Sequence, residues 1–150
     1  MTIDEKEINS ILDGHDKKKS DLKKQAEQEH EKFLAAHKIA ARIEKEIVLP
    51  SVTKIAGILK SRGHDCKIKE EVSPNSYYPS ITLEVVQKEP FSISKLAFRF
   101  SPLEGIVEVI PEELTGTNRP SRSTNIKFKF NELTQEIVDK ELVSFLKNIL

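Results

Sequence analysis

Positions Leu22, Ala26, Glu29, Phe33, Ala36, Ala40, Ile43 and Ile47 follow one another at alternating steps of four and three, and only Glu29 among them is polar. That spacing is the a/d repeat of a seam between helices. It predicts one long amphipathic helix over residues 20–48, a stretch without Gly or Pro and rich in Lys, Glu, Gln and Ala. Ser20 is the expected N-cap, and Pro50 the expected stop, because proline disfavours helical geometry at Leu49 and removes a backbone donor. Ahead of it, residues 1–19 carry a partial stripe of Ile3, Ile8, Ile11 and Leu12 before Gly14, which predicts a short helix or flexible tail. The large apolar residues lie from Phe33 onward, so the second half of the long helix is expected to join a core and the first half to project in part.

After Pro50 the positions Val52, Ile55, Ala56, Ile58 and Leu59 form one broad apolar face, ended by Gly63 as a left-handed cap. From Asp65 the period drops to two. Cys66, Ile68 and Val72 alternate with lysines, and Ile81, Leu83 and Val85 share a face in a strand over 80–87. A third strand over 91–100 reverses phase between Ile93 and Leu96, which predicts a bulge near Ser94. A fourth strand over 106–110, a long connection over 111–123 and a fifth strand over 125–130 follow, and then a last helix capped by Asn131. The fold class expected is α+β: a long N-terminal helix and a second helix, a mainly antiparallel five-stranded meander, and a C-terminal helix packed on one sheet face. Residues 20–150 are expected to form a single domain.

Composition narrows the function classes more than it selects one. The 24 basic and 24 acidic residues cancel, so no net field favours nucleic acid or an anionic membrane. A single cysteine allows no internal disulfide, and neither a secretory signal nor a run long enough to span a bilayer is visible, so a cytoplasmic protein is expected.

Candidate chemistry is sparse. His30 and His37 lie two turns apart on one helix, too far for a shared metal, and no metal or cofactor site is expected. His64 and Cys66 share a strand face, which permits an imidazole–thiol contact, but Cys66 is in phase with Ile68 and reads as a buried structural thiol. The five glycines form no phosphate-binding loop. A local basic patch is expected where Lys67, Lys69, Lys95, Arg99, Lys127 and Lys129 fall on the polar sheet face, with Arg119, Arg122, Tyr77 and Tyr78 near it.

These patterns lead to a non-catalytic interaction module that self-associates, as a homodimer, or binds a partner protein. The seam would be Leu22, Ala26, Phe33, Ala36, Ala40, Ile43 and Ile47, aided by the open sheet face. A nucleic-acid-binding domain using the basic strand face is the alternative, and small-molecule binding or weak hydrolysis near His64 and Cys66 is a third. No membrane partner is expected.

Overall fold

The computed structural model describes residues 3–71, 78–89, 91–115, 120–122 and 125–150. The chain divides into two compact units, Met1–Ala35 and Ala36–Leu150. The first unit is helical from Glu5 onward. Helix α1 (Glu5–Ile43) continues into the second unit, where a π-helical turn (Glu44–Val48) leads directly to helix α2 (Leu49–Ser61).

Two expected boundaries are therefore corrected. Ser20 lies inside α1 and caps nothing; Gly14, the glycine ahead of it, costs only about 1 kcal/mol against Ala. Pro50 does not end the helical path; it occupies the first turn of α2, where a missing N–H is tolerated. The π turn just before it takes up the irregularity, with the Leu49 N–H donating to the Glu44 carbonyl five residues back.

Helix α2 ends as its sequence predicts. The N–H of His64 donates to the Leu59 carbonyl at 2.9 Å and that of Gly63 to Lys60 at 3.0 Å, with Gly63 at φ 83°. Those two bonds make a Schellman motif, which needs a residue tolerant of positive φ.

Strands β1 (Asp65–Glu71), β2 (Ser80–Lys88), β3 (Phe91–Ser101), β4 (Ile106–Thr115) and β5 (Pro120–Arg122) form a consecutive antiparallel meander. Strand β6 (Ile126–Lys129) joins the same sheet beside β4. The bulge expected at Ser94 is absent. Strand β3 runs in unbroken register with both neighbours, with Ser92 and Ser94 on the buried face and Phe91 and Ile93 on the other. Ser92 is admitted to the interior because its hydroxyl donates to Gln87 Oε1 at 3.0 Å.

The long connection expected after Ile110 also proves shorter, because β4 continues to Thr115. Pro111 is tolerated inside it because β6 pairs only as far as Val109 and β5 only from Glu112. Ile110 and Pro111 are thus bonded to β3 alone among the described strands.

The core lies between the inward sheet face and the helices. Ile81, Leu83, Val85, Leu96, Phe98, Phe100, Val107 and Val109 are buried from the sheet, and Val48, Val52, Val138 and Leu142 from the helical side. Helix α2 packs on β1 and β2, and helix α3 (Gln135–Ile149) on β3 and α2. The cap of α3 is Thr134 rather than Asn131, its Oγ1 accepting from the Ile137 N–H at 3.3 Å. Leu133 and Val138 flank this cap, and both belong to the core, which is the spacing of a hydrophobic staple. An α+β domain with a C-terminal helix on one face of an antiparallel sheet is the observed architecture.

Candidate interaction surfaces

In the first unit every residue from Ile3 to Lys32 is exposed. Ile8, Ile11, Leu12 and Leu22 are 42–66% exposed, too much for residues that have found a core. Ile8 and Leu12 fall in the same alternating register as Leu22 and Ala26, so the seam extends further toward the N-terminus than the run beginning at Leu22 suggests. Its other end is already occupied. Ala40 and Ile43 are buried in the core of the second unit, Ile47 packs against that core, and Ala36 is half-buried. Of the seven seam residues, Leu22 and Ala26 are exposed, and Phe33 is half-buried.

The outward sheet face collects all six predicted basic residues, as their alternation requires. The cross-strand register places carboxylates among them. Lys67, Glu84, Lys95 and Glu112 form one row, and Arg99, Glu108 and Lys127 fall in another. Glu84 is 9% exposed, with Lys69 Nζ at 3.0 Å and Lys95 Nζ at 3.9 Å. Glu108 accepts from Asn125 Nδ2 at 2.9 Å. Lys129 stands opposite Ile106. With Asp65 and Glu71 on the same face, the field of the six cations is largely cancelled, and opposite charges across strands support the sheet instead. The Arg99 guanidinium lies 4.7 Å from the centroid of the Tyr78 ring. Tyr77 and Arg119 lie outside the described residues.

His64 and Cys66 part company. His64 is exposed and lines an open cavity with Asp65, Gln87, Lys88 and Glu89, whereas Cys66 is 4% exposed and its thiol donates to the Ala56 carbonyl at 3.5 Å. Burial pushes the Cys66 thiol up, against the partial relief given by Lys60, so the protonated form is favoured. Among the described residues no cluster of His, Cys, Asp and Glu is arranged to hold a metal ion, and no helix is long and apolar enough to cross a membrane.

The sequence pattern missed one titratable site. Glu44 opens the π turn, is 4% exposed, and leaves Oε1 without a hydrogen-bond partner among the described residues. Burial, followed by the nearby Glu70 carboxylate, pushes its carboxyl up to about 7, with Lys45 opposing. The signal was available, since Glu44 stands four residues from both Ala40 and Val48 on the apolar stripe. Burial also lowers the imidazole of His37, which is 4% exposed. Comparison of the chain with protein-family models, with curated proteins and with solved structures returns no match.

Proposed function

We propose that this protein is a non-catalytic interaction module that pairs with a second copy of itself through the first part of α1, running antiparallel. The observation that carries the reading is the run of helical residues from Glu5 to Lys32 in which nothing is buried. Isolated helices are marginal in water, and most helical stability in proteins comes from packing an apolar face. The unpacked face here carries Ile8, Leu12, Leu22 and Ala26 in seam register.

Charge selects the orientation. Residues 17–24 hold five lysines and one aspartate, while Glu27, Glu29 and Glu31 follow without a lysine among them. Two parallel helices in register would set the basic stretch against itself, with Lys19 on Lys19 and Glu29 on Glu29. An antiparallel pair that seats Leu22 against Ala26 sets Lys19 against Glu29 in the neighbouring layers, on both sides of the dyad. Like charges are removed from the seam, and the mechanism is burial of Leu22 and Ala26 against their counterparts.

Sedimentation equilibrium across a wide concentration range tests this. Self-association is expected, weakened about tenfold or more by Lys19→Glu or Glu29→Lys alone and restored by the double exchange. Circular dichroism of each variant checks that the helix itself persists. A monomer at every concentration, or a double exchange no better than either single change, would overturn the reading.

A further inference from the structure

A second feature of the molecule lies wholly within the second unit and is independent of the helix seam. Between α3 and the outer edge of β4 is a cavity of about 340 Å³. It lies beside the interval described above, where the pairing of β6 with β4 has ended at Val109 and that of β5 has not begun. Its floor is apolar, made by Leu96, Val109 and Phe145, all buried, with Ile149 half-buried and Ile126 exposed at the sides. Three carboxylates, Glu112, Glu113 and Glu141, complete the lining with Ser144 and Asn148. No Lys or Arg is among the described lining residues.

We infer that this cavity is a binding site for a small amphiphilic cation, an alkylammonium whose apolar body lies on Leu96, Val109 and Phe145 and whose charged head meets the carboxylates. The volume is at the lower end of small-molecule pockets and leaves room for roughly eleven water-sized groups, the size of an eight-carbon chain with its ammonium. Apolar floor alone would accept any hydrophobe of that length. The carboxylates make the selection, because an anionic head would sit unpaired among like charges, while an ammonium gains charge-assisted hydrogen bonds at a partly dehydrated site. Glu113 and Glu141 are half-buried, whereas Glu112 is exposed and stands between Lys95 and Arg122 in the strand register, so the first two carry the discrimination.

Three probes with the same tail separate the contributions: octylammonium, octanol and octanoate, titrated into the full chain labelled with nitrogen-15. Saturable amide shifts confined to β3, β4, β6 and α3 are expected with octylammonium, and affinity at least about tenfold lower with octanoate. Glu113→Gln/Glu141→Gln is expected to weaken octylammonium about tenfold while leaving octanol unchanged. Ser144→Trp, placed on an exposed position of the wall, is expected to exclude all three. Equal affinity for octylammonium and octanoate, affinity unchanged in the double glutamine variant, or no saturable shift at millimolar probe would each overturn the assignment. Well-dispersed spectra of both variants show that they remain folded, and the monomer–dimer balance measured in the same samples keeps the outcome separate from that of the helix pairing.

Discussion

Glu44 gives the domain a calculable dependence on pH. Its carboxyl stands at about 7 in the folded chain against an ordinary 4.5. Between those two values the native state binds more protons than the unfolded state, so stability falls as pH rises and the loss is complete above about 7. The shift corresponds to about 3 kcal/mol, a large fraction of the stability of an ordinary domain. The perturbation is Glu44→Gln, which keeps the shape and abolishes the charge. His37 acts in the opposite sense. Its lowered value means that the unfolded state binds more protons below 6.5, so its contribution rises with pH. Comparing Glu44→Gln with the parent chain at each pH cancels His37 and every other group common to both. Urea denaturation followed by circular dichroism is expected to show the variant gaining about 2 kcal/mol on the parent between pH 5 and pH 8. Glu70→Gln, which removes the second cause of the shift, is expected to give a smaller gain of the same sign. A difference between variant and parent that stays flat from pH 5 to 8 would mean that Glu44 ionises freely, and the account of its burial would be wrong.

Two further outcomes follow from local geometry. Native Cys66 is expected to react with a thiol reagent at pH 8 about a hundredfold or more slowly than in urea, because reaction requires opening of the α2–β1 contact, whereas rapid labelling of the native chain would contradict its burial. The same substitution at two glycines is expected to have opposite signs. Gly63→Ala costs about 1 kcal/mol at φ 83°, and Gly57→Ala, inside α2 with open space around its Cβ, gains about as much, both measured by urea denaturation.

Much of the fold could be read from side-chain periodicity, and the failures have identifiable physical causes. The apolar stripe of α3, the alternation in β2 and the Gly63 cap were visible because each rests on a local rule of period or φ. The bulge predicted at Ser94 was an error of a different kind. A polar serine is expected to turn outward, yet Ser92 is admitted to the interior by Gln87, its direct partner across the β2–β3 hairpin. Pro111 looked like the start of a loop because its tolerance depends on where β5 and β6 stop, which is a tertiary fact. The seam showed its period but not its occupancy. Nothing local distinguishes Ala40, which is buried in the core, from Ala26, which is exposed. For the basic strand residues the face was readable and the neutralising register was not, since the pairing of Lys95 with both Glu84 and Glu112 is set by strand order.

The π turn at 44–48 has a consequence for how this chain tolerates insertion and deletion. A π turn holds one residue more than the α-helical turn it replaces, and each residue of an α-helix advances the face by about 100°. Ala40 and Ile43 on one side of the turn and Val52 and Ala56 on the other face the same core only with that extra residue counted. The segment therefore acts as a phase adjuster. Loss of one residue there would restore regular helical geometry and leave both apolar stripes on the sheet, whereas regular α-helix at the present length would rotate one of them away by about 100°, so the turn absorbs a residue that the stripes themselves do not need.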